Sequence, residues 1–580
     1  MKTNILKNNI FYLFSLILII LLYYTITQLL FPMFSVNKMN FSIIDILYAY
    51  VFSIISYILS NKNKLTSYIF IIVVVFSFFA IEPLCITIDA KPLFFTDMPD
   101  LYPSLIEVLP LYMQIITITA TILYFALLLA YALYFIYRIY KIYKVNIKKG
   151  IIMALVVIAT TYISFFRPVK MNSIYADYTE IANKYGIINT ISYRISYDES
   201  IKIKANKQNV EEAVKLLRDK QDKRDISNLI LPYDTDKKRD VFIIFMESFY
   251  DYSHFLSLID KDPFPKEYRE WASNSTKVGP NDTYGSLFAR TSGLIGSSPL
   301  FPKKQKTPIY STLPYLMKDN GYHTIGLEEH TVTYYLDKLL PNIGMEEVVF
   351  NLGLTNIKNY IKTNNSNKPI FVSGFTYLGH AGSYVENDLD VFENNKRLID
   401  KISKKDVKLF VETMENSALQ AQDILDTRDI ILEKYPDAII IFKHDHLYPY
   451  LKNMIHNSNI DDDIKTSFFN SYTVSPMLIW NGTNGAYKFE EDGFAPENIP
   501  LFVAVNTKAN YTNSIVSLLY KDKTDGIIRF YNGFYTNDNG TIKKIEVSKE
   551  SESYKENDAQ RILAEDLLRG KKYFHASINK

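Results

Sequence analysis

The sequence predicts two architectures in one chain. A five-helix membrane domain comes first, followed by an extracytoplasmic α/β domain with a mostly parallel central sheet flanked by helices. Three observations predict this. Long apolar runs are confined to residues 1–168. The charges between those runs set an orientation. Beyond residue 238, short and continuously apolar segments alternate with segments of helical period, the pattern of strands buried on both faces.

The apolar runs are "IFYLFSLILIILLYYTITQLLF" (10–31), "FSIIDILYAYVFSIISYIL" (41–59), "LTSYIFIIVVVFSFFAIEPLCITI" (65–88), "LPLYMQIITITATILYFALLLAYALYFIY" (109–137) and "GIIMALVVIATTYISFF" (150–166). Each is near or above the roughly 20 residues that cross a bilayer as a helix. The first is too long for a signal peptide and lacks a small-residue cleavage pattern. The segment "RIYKIYKVNIKKG" carries five Lys or Arg, whereas "DAKPLFFTDMPDLYPS" has one Lys and three Asp. Positive charge stays inside, so the N-terminus is expected in the cytoplasm and everything after the fifth span outside it.

Net charge is +2, from 64 basic and 62 acidic side chains, which leaves no basic excess for nucleic acid. Cys85 is the single cysteine, so neither an intrachain disulfide nor a cysteine-rich metal site can form. The expected units are the membrane domain at 1–168, a connector at 169–238, an α/β domain at 239–545 and a charged tail at 546–580. In the connector, "NVEEAVKLLRDKQDKRD" (209–225) reads as a charged surface helix. Strands are expected at "DVFIIFMESF", "YHTIGL", "KPIFVSGFTY", "DAIIIFKHDH" and "SPMLIW". Helices are expected at "YSTLPYLMKDNG" and "ENSALQAQDILDTRDIILEKY", and a hairpin around "NDNG".

Sheets of this kind gather their chemistry at the carboxyl ends of the strands. Glu247 follows the first apolar run, His380 the third, and Asp445 with His446 the fourth. Each of these residues has a commoner, structural fate when taken alone. A carboxylate directly after "VFIIFM", however, is costly to bury without a partner. The stretch "GSLFARTSGLIGSS" (285–298) adds Arg290 and Thr291. Locally Thr291 reads as a helix N-cap, a role compatible with being a nucleophile.

In the order "FMES", "RTS", "YLGH", "HDH", after five spans, the chain resembles the lipoteichoic acid synthases and the phosphoglycerol transferases that decorate periplasmic glucans. Both belong to the alkaline phosphatase and sulfatase superfamily. The resemblance implies a sulfatase-like fold and transfer of phosphoglycerol, or a similar headgroup, from a phosphatidylglycerol-like lipid to an extracytoplasmic glycan or glycolipid. By position it implies Thr291 as nucleophile, Glu247, Thr291, Asp445 and His446 as ligands of one divalent metal, and His380 on the substrate phosphate. That donor set suits Mn first, with Zn or Mg as alternatives. Arg290 would pair with phosphate oxygens.

Two departures stand out. His444 replaces a Gly before the Asp-His pair, as a bulkier and titratable neighbour of the metal. Leu336 stands where the synthases carry a phosphate-binding Arg, with His330 the candidate to replace it. A sulfatase needs a Cys/Ser-x-Pro-x-Arg frame, which "RTSGL" lacks. A phosphoethanolamine transferase, a metal-dependent phosphodiesterase of the same fold and a non-catalytic envelope scaffold remain as alternatives.

Overall fold

In the computed structural model, residues 205–578 are described except for 233–236, 279–307, 329–335, 351–353, 377, 379–388, 445–448, 472–474, 491–493, 521–526, 531–532, 539–540 and 570–571; before 205 only scattered positions are. The chain divides into two compact units, Met1–Lys202 and Ile203–Lys580. The expected membrane spans thus fall almost wholly outside the described residues. Among the described residues no helix is long and apolar enough to cross a membrane.

The second unit is built on a mixed sheet. Its strands are β1 (Val241–Met246), β2 (Thr276–Val278), β3 (His323–Glu328), β4 (Glu347–Val349), β5 (Ile370–Thr376), β6 (Ile439–His444), β7 (Ser475–Asn481) and the short β8 (Ala486–Tyr487). They lie in the order β2-β7-β6-β1-β5-β3-β4, with β8 beside β7. From β6 to β4 all neighbours are parallel. The expected strand "SPMLIW" forms as β7 but runs antiparallel to β6. Its burial is broken at Pro476 and Trp480, which distinguishes it from the fully buried β1, β5 and β6.

The unbroken apolar runs follow from burial on both faces. On one face Val241, Ile243 and Phe245 of β1 join Phe371, Phe375, Ile439 and Ile441 in one core. On the other, Phe242, Ile244 and Met246 join Val372, Ile440 and Phe442 in a second. Two helices show how each face is covered. The first core takes α1 (Lys207–Gln221) through Val210, Ala213, Val214 and Leu217. This spacing of three and four residues makes a half-buried amphipathic helix out of a segment that reads as solvated in sequence. Asn206 starts it with a reciprocal cap: its side chain accepts from Asn209 N–H at 3.0 Å, and Asn209 accepts from its N–H at 2.7 Å.

The second core takes the 28-residue α2 (Val407–Lys434). Its direction is fixed at two points. Asn416 donates to the carbonyl of Leu378, just past the end of β5, at 3.2 Å. Arg428 stacks over Trp480, which pairs with Ile440 near the start of β6. The twelve residues between them climb about 18 Å of helix, close to the roughly 20 Å length of a six-residue strand. So α2 runs antiparallel to β5 and β6, with Asn416 at their carboxyl ends.

The expected hairpin belongs to a separate meander of β9 (Ile527–Phe530), β10 (Gly533–Asp538) and β11 (Thr541–Ile545). Asp538 pairs with Thr541, so β10 and β11 are antiparallel neighbours about the expected hairpin. After it, α3 (Glu552–Arg569) packs against α1, and Lys220 of α1 pairs with Glu552 and Glu556.

Candidate active site

The parallel strands end in step. Met246 of β1 is in register with Thr376 of β5 on one side and His444 of β6 on the other. Glu247, the residue after Met246, extends the ladder by one bond, its N–H donating to Thr376 O at 2.9 Å. In the chain, Asp445 follows His444 directly, and His380 comes four residues after Thr376. β2 reaches the same edge: it is antiparallel to β7, which is antiparallel to β6, and it ends at Val278 opposite Ser475. The segment holding Arg290 and Thr291 leaves β2 from there. β3 ends on this edge at Glu328, two residues before His330.

Of the residues that sequence puts in the site, Glu247 is the one the structure describes. Thr291, Arg290, His330, His380, Asp445 and His446 lie outside the described residues. Among the described residues no group of three or more Asp, Glu, His or Cys is placed to hold a metal ion. Glu247 is only 4% exposed, and Ser248 donates its hydroxyl to Glu247 Oε1 at 2.7 Å. Ser248 achieves this from a left-handed backbone, φ +52°. A buried carboxylate oriented by a hydroxyl is what a metal ligand needs. Were Asp445, His446 and the Thr291 oxygen to join it, as the sequence leads one to expect, the donors would be rich in oxygen with one imidazole, a chemistry that suits Mn, Zn or Mg.

His444 faces the core instead of open solvent. It is 1% exposed, and its ring centroid lies 4.2 Å from that of Phe249. Burial, with the charge of Lys443 adding to it, holds its pKa well below the usual imidazole range. The histidine that reads as a titratable neighbour of the metal is thus a neutral packing residue. Its alternation explains why: His444 shares its sheet face with Ile440 and Phe442, the face covered by α2. Leu336 opens the helix Leu336–Asn342.

Four residues around this edge escape sequence reasoning. Ser248 holds Glu247. Asn416 of α2 donates to the carbonyl of Leu378, two residues before His380 in the chain. Glu328 and Lys443 are both 0% exposed and sit in one row on one sheet face, with Phe375 and Phe245 between them. Three strand spacings put them about 14 Å apart, too far for an ion pair. Lys443 had a signal in the sequence, a lysine closing the run "IIIFK", and Glu328 another, a carboxylate directly after "YHTIGL"; Ser248 and Asn416 had none.

No family model and no curated protein matches the chain. Solved structures do. The chain is similar to the Streptococcus pyogenes phosphoglycerol transferase GacH in complex with sn-glycerol-1-phosphate, at 13% identity over 64% of this chain and 96% of that one, TM-score 0.43. It is similar to a Vibrio parahaemolyticus protein of the alkaline phosphatase superfamily, at 16% identity over 64% and 97%, TM-score 0.39. It is also similar to the lipoteichoic acid synthase LtaP from Listeria monocytogenes, at 13% identity over 59% and 93%, TM-score 0.38.

Proposed function

We propose that this chain is a membrane-anchored transferase that moves phosphoglycerol, or a similar headgroup, from a phospholipid to an extracytoplasmic glycan or lipid. The observation that carries the reading is the common strand edge. Glu247 stands one residue past β1, and Asp445 and His446 follow directly on β6, its neighbour in register. His380 follows β5, the neighbour on the other side. The segment with Arg290 and Thr291 departs from the same edge.

Glu247, Asp445, His446 and Thr291 would hold one divalent cation, Mn by preference. When bound, that ion supplies positive charge that acidifies a hydroxyl and offsets charge on a phosphate. Thr291 Oγ attacks the phosphorus of the lipid diester, and the bond from phosphorus to the diacylglycerol oxygen breaks. Diacylglycerol leaves with the proton that Thr291 gives up. An acceptor hydroxyl then attacks the same phosphorus, the bond to Thr291 Oγ breaks, and the acceptor's proton returns the threonine to its hydroxyl form. Arg290, His380 and His330 would bind the phosphate oxygens through both steps. Five anchoring helices at 1–168 would keep the edge near its lipid donor.

The test uses the purified full chain with Mn and phosphatidylglycerol, followed by peptide mass spectrometry. A phosphoglycerol adduct on the Thr291 peptide is expected, absent in Thr291→Ala and in chelator. An adduct formed only from phosphatidylethanolamine keeps the mechanism and changes the headgroup. Metal binding without adduct or diacylglycerol from any lipid would overturn transfer in favour of a hydrolase or a scaffold.

A further inference from the structure

Lysine is the residue type least at home inside a strand that is buried on both faces, and it is almost never fully buried unless paired. Lys443 is 0% exposed within β6. In the sheet it stands between Phe245 of β1 and Met477 of β7. Among the described residues its Nζ donates to the backbone carbonyl of His444 and to Ser475 Oγ, the latter at 2.9 Å.

Those two acceptors have a meaning in the chain. The His444 carbonyl belongs to the peptide that joins His444 to Asp445. Ser475 is the first residue of β7, where the chain returns to the sheet after the excursion of 445–474. One side chain therefore grips both the departure and the return of the segment that carries Asp445 and His446. An amide plane whose oxygen is held by a lysine has lost its freedom to rotate, and the direction of the next residue is set with it. On the neighbouring strand the matching job is done by backbone, Glu247 N–H on Thr376 O at 2.9 Å. Both sides of the row are thus held at their strand ends by hydrogen bonds within the protein.

We infer that Lys443, acting with Ser475, is the positioning residue that presents Asp445 and His446 to the metal. The inference rests on the reading of those two residues as ligands. Lys443 does not touch the substrate; it acts through the peptide it holds. A lysine with a purely structural role would leave metal affinity alone when replaced, whatever it did to stability.

The experiment is a titration of the full chain with Mn, following free Mn by its paramagnetic resonance signal. Lys443→Met keeps the side-chain length without the donors. Loss of an outer residue that orients a ligand weakens metal binding by about ten- to a hundredfold, and a loss in that range is expected. Ser475→Ala removes one acceptor and leaves Lys443 in place, so a smaller weakening of the same sign is expected, with the fold intact. Arg428→Met, at the opposite end of the sheet, reports the effect of a merely structural change and is expected to bind Mn as the wild type does. If Lys443→Met fails to fold, Ser475→Ala decides. Wild-type affinity in folded Lys443→Met, or in Ser475→Ala when the first variant does not fold, overturns the inference, and so does equal weakening in Arg428→Met. Absence of Mn binding by the wild type removes the ligand reading itself, a different failure from unchanged binding in the variants.

Discussion

Ser248 is the residue that gives the sharpest test of how Glu247 is held. Its hydroxyl donates to a carboxylate at 2.7 Å, both groups are 4% exposed, and the backbone there has φ +52°. A hydrogen bond to a charged group contributes about 1.5–3 kcal/mol. The left-handed backbone costs a side chain with a Cβ roughly 1 kcal/mol, a cost that Gly escapes. Ser248→Ala loses the bond and keeps the strain, so a destabilisation of about 2 kcal/mol is expected. Ser248→Gly loses the same bond and sheds the strain, so it is expected to be roughly 1 kcal/mol more stable than the Ala variant. Urea unfolding of the chain in chelator, where no metal linkage adds to the native state, measures both. Mn affinity is expected to fall in both, since each leaves the carboxylate less firmly oriented. Wild-type stability in Ser248→Ala, or a Gly variant no better than the Ala variant, would refute the account of this turn.

Three further outcomes follow from the same structure. Arg428 is 5% exposed between Trp271 and Trp480, 5.5 and 4.5 Å from their ring centroids, and pairs with Glu267 at 2.7 Å. Because these are the chain's two tryptophans, Arg428→Met is expected to shift intrinsic fluorescence and to cost about 2 kcal/mol, most of it from lost cation–π contact; unchanged emission refutes the stack. Gly344 has φ +107°, and a Cβ there would meet the backbone nitrogen of Tyr315 at 2.6 Å. Gly344→Ala should therefore cost on the order of 3 kcal/mol, read as a lowered urea midpoint. Burial first, then Lys277, lowers the pKa of His254 from 6.5, against an opposing pull from Asp251. The unfolded chain then takes up a proton before the folded one does, so stability falls as pH drops below about 6.5 and levels off only below the folded value. His254→Gln should lose less stability than wild type between pH 7 and pH 5 in thermal melts; an identical slope counts against it.

What the sequence made legible was whatever depends on periodicity. Continuous apolar runs announced β1, β3, β5 and β6 to within three residues at either end, because burial on both faces leaves few polar positions in such a strand. The same logic could not give the direction of β7. A short apolar run looks alike whether its neighbour is parallel or antiparallel, and the choice depends on where the chain re-enters the sheet at Ser475. Nor could it give the burial of α1. That helix is charged on average, and only its Val210, Ala213, Val214 and Leu217 stripe, packed with the helices at the far end of the chain, shows it to be core.

The site divides along the same line. Residues that sit at strand ends are found by counting past an apolar run, which is how Glu247, Asp445 and His446 enter the argument. Residues that hold them are not, because their partners are far away in sequence or unremarkable locally. Asn416 meets Leu378 across 38 residues, and Lys443 meets Ser475 across 32. His444 shows the limit most clearly. In "HDH" it reads as a titratable neighbour of the two residues expected to hold a metal. Strand alternation sends successive side chains to opposite faces. Counting from Ile440 and Phe442 puts His444 under α2 with Phe249, while Lys443 goes to the other face with Ile439 and Ile441. Two adjacent basic residues thereby acquire unrelated tasks, one packing as a neutral ring and the other gripping the peptide that leads to Asp445.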